Sequence, residues 1–453
     1  MTVVKFNKDI NKYYPFAIKF FNDNYYLYNL MTNAIFLMDE NSYNILINDD
    51  NINREKYIDT VRFFENNFIL VTPENESKLD ELYNKVVMKK KFLNSTALTL
   101  MISQECNLRC KYCYGENGEY SNKGKMDFIV AKKAIDYFIQ QSPSDKLSIC
   151  FFGGEPLLNI ELIEEVIEYT REIEKNSNKK FNFSMTTNAT LIDKKIEKFI
   201  INNKIDLTVS IDGSKEMNDS NRYYANNKGV YNDIKKKTSG LKKFITARAT
   251  LSPPNLDVMD SITHIVNKFG FKKVAWAEAD NLLNDKDYNL LKNSTHNLLD
   301  KLENLINCGK YNEVRKYHTF INMLKKFNSD GIRTKGCGAG SNLMAVDIDG
   351  KIYPCHRFVG IEEYVLGNVS DEKLEENLNF YSNVDLVNFK KCEFCIAKNI
   401  CAGGCINENY VANQSINEPS DKHCEYRISI VERLLEIYIK LDDNAKKQLF
   451  SNY

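Results

Sequence analysis

The chain has 453 residues, 61 Lys and Arg against 61 Asp and Glu, 43% hydrophobic residues and 12 cysteines. That apolar share excludes a disordered or collagen-like chain, and the length sets a prior of about three domains. Zero net charge removes the electrostatic footprint of a nucleic-acid or anionic-membrane binder. The start, Met1–Asn11, is charged and lacks a signal-peptide core, and no run of about 18 apolar residues occurs. The expectation is a cytoplasmic chain with no nucleic-acid or membrane partner. In that reducing compartment its cysteines are ligands or catalytic groups and not disulfides.

In chain order, Tyr25-Tyr26-Leu27-Tyr28 and Ala34-Ile35-Phe36-Leu37 flank Met31-Thr32-Asn33, the pattern of a hairpin. Helical stretches follow at Asn41–Ile47 and Arg54–Glu65, then a strand-like Asn67–Val71. From Thr96 onward, apolar runs alternate with segments of helical period, the βα pattern of a parallel sheet. Strands are expected near Ala97–Ser103, Leu147–Phe152, Phe181–Thr187, Leu207–Asp212, Thr246–Leu251 and Lys273–Glu278. Phe128, Ala131, Ile135 and Phe138 recur as a core-facing helical stripe. Six such units make a partial (β/α)6 TIM-like barrel, whose chemistry sits at the C-terminal ends of strands. Unusual residues fall there: Cys106, Cys110 and Cys113 after the first strand, Gly153-Gly154-Glu155 after the second, Thr187-Asn188 after the third, Ser210 to Asp212 after the fourth.

A structural zinc site takes four ligands, whereas three thiolates without a nearby His suit an iron–sulfur cube that keeps one iron open. Cys106-Asn-Leu-Arg-Cys110-Lys-Tyr112-Cys113 resembles the signature of the radical S-adenosylmethionine (SAM) enzymes. The resemblance implies that these three cysteines are catalytic, holding a [4Fe-4S] cluster whose free iron binds SAM and whose electron releases a 5′-deoxyadenosyl radical. It also implies a cofactor-binding set. Gly153, Gly154 and Glu155 meet the methionine ammonium, Tyr112 lies beside the adenine, and Ser210 and Arg222 reach the ribose and carboxylate. Asn188 and Asp212 complete that set, with helix capping or turn closure as their plain alternative.

The second cysteine group is Cys337, Cys355, Cys392, Cys395, Cys401, Cys405 and Cys424, with Gly350 five residues before Cys355. It resembles the seven-cysteine SPASM extension of peptide- and protein-modifying radical SAM enzymes. The resemblance implies two auxiliary [4Fe-4S] clusters, the first on Cys337, Cys355 and Cys405, the second on Cys392, Cys395, Cys401 and Cys424, and so three clusters in all. Cys308 is the candidate fourth ligand of the first, its alternative being a helix-end thiol; Cys150 reads as a buried strand residue. The N-terminal pattern resembles the winged-helix-like unit that captures a leader peptide as an added strand in maturases of ribosomally made peptides.

The expected domains are 1–93 (peptide recognition), 94–310 (partial barrel), 311–336 (linker) and 337–453 (SPASM with a final helix near Ile428–Leu441). The implied function is a maturase forming Cys thioether cross-links of the sactipeptide or ranthipeptide kind. Its implied partners are a leader-bearing precursor peptide and a reductant such as flavodoxin or ferredoxin. Rival readings are a formylglycine-generating sulfatase maturase, a carbon–carbon cross-linking peptide cyclase and a multi-cluster electron carrier. Sulfatase maturases resemble this chain from the barrel onward but carry an Asp where His356 follows Cys355.

Overall fold

The structure is a computed structural model that describes residues 12–47, 57–88, 95–329, 331–371 and 384–451. The expected boundary at 93/94 and the first turn expected for Arg54–Glu65 lie outside the described residues. The chain forms two compact units, one of Met1–Lys89, Asn322–Gly336 and Asn383–Tyr453, the other of Lys90–Ile321 and Cys337–Ser382.

The first unit contains an antiparallel sheet in the order β1 (Phe16–Phe21), β2 (Asn24–Asn29), β3 (Ile35–Met38). Asn22 and Asp23, both at positive φ, make the two-residue turn from β1 to β2, a conformation that Asn and Asp tolerate because their short side chains bond the local backbone. One face carries Phe16, Ile18, Leu27 and Met38 into a core with Leu46, Val61, Phe64 and Ile69, supplied by helices Glu40–Ile47 and Ile58–Asn66 and the segment after them. The other face packs on the unit's C-terminal part. Tyr28 meets Phe327 edge-on at 5.7 Å, Phe327 meets Tyr438 at 5.5 Å, and Lys19 pairs with Glu436 of helix Asp421–Lys440. Asn399 Nδ2 donates to Leu30 O at 3.0 Å, tying the sheet to the cysteine-rich segment.

In the second unit β4 (Ala97–Gln104), β6 (Lys146–Gly153), β7 (Lys180–Thr187), β8 (Asp206–Ser210), β9 (Ile245–Leu251) and β10 (Lys273–Glu278) pair in parallel, in the order expected of the partial barrel. β5 (Gly124–Lys125) pairs on β4. The sheet continues past β4 through β11 (Leu343–Val346), β12 (Lys351–Tyr353) and β13 (Gly367–Asn368). These edge strands are two to four residues long, too short for the period-two pattern to reveal them. Alternation sorts the side chains of the parallel strands. Ile149, Phe151, Phe183, Val209 and Ala247 are buried, while Phe152, Thr186, Thr208, Ser210, Arg248 and Thr250 stand half-buried on the opposite face. A face rich in hydroxyls is one suited to a polar ligand. The helix expected from the Phe128 stripe is Phe128–Gln141, capped by Asp127, with Ala131, Ala134, Ile135 and Phe138 buried.

Candidate active site

Within the second unit the loop after β4 brings its three cysteines together. Burial pushes the Cys106 thiol up to about 12, reinforced by the Glu155 carboxylate and by Cys110 and Cys113. Cys110 is likewise raised by burial, against the pull of Arg222. Cys106 and Cys110, each with a neighbouring thiol against it, are thus held for a cation to discharge. Three thiols without a nearby His suit a cube with one thiolate per iron and one iron left open.

Two hydrogen-bonded groups flank the loop. In the first, Glu155 is fully buried and accepts from Thr187 Oγ1 at 2.6 Å, the Asn188 amide at 2.8 Å and the Leu157 amide at 3.1 Å. Burial nonetheless holds its carboxyl above the usual range. Asn188 Nδ2 donates to Asn107 Oδ1 at 2.9 Å and reaches Cys106 Sγ at 3.9 Å, while Asn107 donates to Thr190 at 2.8 Å. Gly153 and Gly154 allow this closeness. A Cβ at Gly153, where φ is 137°, would lie 2.1 Å from Ser103 O, and one at Gly154 would lie 2.3 Å from Glu105 O. Only glycine lets the ends of β4 and β6 approach so far.

The second group is Tyr112, Asp212 and Arg222. Tyr112 Oη donates to Asp212 Oδ2 at 2.6 Å and accepts from Arg222 Nη1 at 2.6 Å. Asp212 Oδ1 accepts from the Thr250 amide at 3.0 Å. Burial raises the Asp212 carboxyl although Arg222 opposes it. Arg222 is 5% exposed, and its Nε has no hydrogen-bond partner among the described residues. An orphaned guanidinium N–H in a buried pocket fits an incoming carboxylate. Ser210 stands half-buried at the end of β8, outside both groups.

Beyond Cys113, the ring of His356 lies 4.4 Å from that of Phe152 and 6.4 Å from that of Tyr114, which Arg357 overlies at 4.9 Å. Burial, helped by Arg357 and Arg248, lowers His356 to about 4 and keeps the imidazole neutral. Cys355 in this unit is buried and Cys337 exposed. Cys308, the expected spare thiol, is exposed at the end of helix Asp285–Asn307.

In the first unit, Cys392, Cys395, Cys401 and Cys424 line one cavity of about 500 Å³, a donor set that fits a four-thiolate cluster. Cys405 follows in the same unit, after Ala402, Gly403 and Gly404, all at positive φ. Burial pushes Cys392 and Cys424 up to about 12, and neighbouring thiols add to it. Cys401 differs. Burial raises it too, but a hydrogen bond with His423 and the charges of His423, Arg427 and Lys326 carry it below the usual thiol value.

Sequence reasoning missed Asn107, Thr250, Lys326, His423 and Arg427. Asn107 was legible as a polar residue beside the first cysteine. Lys326 carries no signal, because it reaches Cys401 through the fold and not through spacing.

The family model for the radical SAM superfamily matches residues 100–247, and that for the SPASM iron–sulfur cluster-binding domain matches residues 337–402. An uncharacterized protein of Methanocaldococcus jannaschii is 32% identical over 61% of this chain and 89% of its own length. A cysteine-type anaerobic sulfatase-maturating enzyme of Clostridium novyi is 26% identical over 67% of this chain and 85% of its own. The radical SAM cyclopropyl synthase TigE of Paramaledivibacter caminithermalis is 25% identical over 83% and 81%. Among solved structures, polyhistidine-tagged anSMEcpe with bound AdoMet shares the fold with a TM-score of 0.66 at 24% identity, over 78% of this chain and 98% of that one. With a cysteine triplet beyond β4, an open guanidinium facing it and these matches, the chain belongs to the radical SAM superfamily: it is an enzyme that uses SAM with a [4Fe-4S] cluster and carries a SPASM domain for further clusters.

Proposed function

We propose that this enzyme modifies a ribosomally made precursor peptide, joining Cys sulfur to carbon in thioether bridges, and that the leader is held as an added strand on β3. The observation that carries the peptide reading is a sheet edge, that of β3, which pairs with no further strand among the described residues. Asn29 donates to Ala34 O, so in the alternating ladder Phe36 and Met38 bond β2, while the N–H and C=O of Ile35 and Leu37 point away from it. Ile35 and Leu37 also line a groove of about 690 Å³, with Phe68, Phe327, Tyr438 and Lys446. Such an edge binds an extended segment through its backbone.

SAM bound at the first cluster supplies a deoxyadenosyl radical. Cys106, Cys110 and Cys113 would hold that cluster, and Arg222, fixed by Tyr112 and Asp212, would take the SAM carboxylate. Glu155 and Asn188 act by holding the ends of β6 and β7 against the cysteine loop. Per bridge, the peptide gives up one hydrogen atom to the radical, then one proton and one electron as sulfur joins carbon. The reductant for SAM cleavage is a flavodoxin or ferredoxin.

Formylglycine formation is the second reading, favoured by the sulfatase-maturating relative. Against it stands His356, a neutral imidazole against Phe152 where that reading expects a carboxylate. The test is a search for a short Cys-rich reading frame beside this gene, followed by anaerobic turnover of the leader-bearing peptide it encodes. Thioether formation removes two hydrogens per bridge and blocks alkylation of one cysteine. A product that lost its sulfur, with no ring, would replace this reading with the formylglycine one.

A further inference from the structure

The environment of Cys401 sets it apart from the other three thiols around its cavity. Lys326 Nζ donates to the carbonyl of Ile400, one residue before Cys401, at 2.6 Å. His423 stands against Cys401, and its Nε2 accepts from Arg427 Nε at 3.4 Å. Arg427 and Lys398 line the cavity beside Lys390 and Lys391. The acids there are Glu432 and Asp421, and Asp421 is bound to Lys391 at 2.6 Å. Positive groups therefore converge on one corner of the site, and Lys326 and Arg427 approach it from opposite sides in sequence.

We propose that Lys326, His423 and Arg427 are tuning residues that raise the reduction potential of the cluster on Cys392, Cys395, Cys401 and Cys424, so that it can take up the surplus electron. This rests on the cluster assignment in the proposed function. One-electron reduction adds a negative charge spread over iron and sulfur. A nearby cation or a hydrogen bond to a ligand sulfur stabilises that charge, most strongly where water is excluded.

The experiment is an EPR-monitored redox titration of anaerobically reconstituted full-length enzyme, alongside Lys326→Met, Lys326→Arg and Arg427→Gln, with iron measured in each. Wild type should show a wave that Cys401→Ala removes, which assigns it to this cluster. Lys326→Met and Arg427→Gln should each move that wave alone to lower potential, by about a tenfold change in the ratio of oxidised to reduced protein, 59 mV for one electron. Lys326→Arg should restore it. An unmoved wave at full iron content overturns the proposal, as does loss of that cluster's iron in both neutral variants, which would make these residues structural. If Cys401→Ala leaves iron and all three waves unchanged, the cluster assignment itself is wrong.

Discussion

Glu155 shows how a motif residue can act through architecture. Its position after two glycines reads in sequence as a ligand for a cation, yet three of its roughly four acceptor sites are taken by Thr187, Asn188 and Leu157. Glu155→Gln should lower the stability of the metal-free protein by about 2 kcal/mol, since the amide turns a donor toward the donor of Asn188. Its pH dependence carries a second readout. A carboxyl whose folded pKa is raised favours the native state while protonated. Stability therefore falls as pH rises from the unfolded value through the folded one. Urea midpoints measured across that range should fall in wild type and stay flatter in the variant. An equally steep fall in Glu155→Gln would mean the carboxyl is not the source.

At the scale of elements, β3 offers a test that spares the chemistry. Leu37 is 63% exposed and its outward N–H makes no ladder bond among the described residues. Proline is tolerated at such an edge, where it removes one donor. Leu37→Pro should weaken leader-peptide binding about fivefold or more, from ~1 kcal/mol per lost hydrogen bond, and leave reductive SAM cleavage unchanged. Unaltered binding in a titration of the leader peptide would remove β3 as the docking edge. The hairpin β2–β3 was legible because apolar runs flank a polar turn. β1 was missed although Asn22-Asp23 announces a tight turn, since Phe16–Phe21 has no regular alternation. The barrel strands were found within a residue or two, because each carries its own buried face. β11 to β13 borrow theirs from neighbours already in place.

For the whole molecule, ten cysteines in two groups carry the argument for three cubes, about twelve iron atoms per reconstituted chain. The Cys106/Cys110/Cys113→Ala variant should keep about eight and lose reductive SAM cleavage, measured as 5′-deoxyadenosine formed. Continued cleavage by that variant would remove the catalytic triplet assignment. Spacing made the cysteines legible and could not show what surrounds them: Lys326 reaches Cys401 from one helix, His423 and Arg427 from another.

The first unit is assembled from three separate stretches of sequence, with Tyr28 seated on Phe327 and Lys19 on Glu436. During synthesis the N-terminal sheet leaves the ribosome long before those partners exist. At roughly 5–20 residues per second, the wait through residues 90–321 is on the order of 10–50 s. For that time one face of the sheet, and its open edge, lie bare to any other nascent chain. Swapping the N-terminal sheet alone into another chain would make that exposure permanent, so a working chimera must carry the matching tail as well as the head.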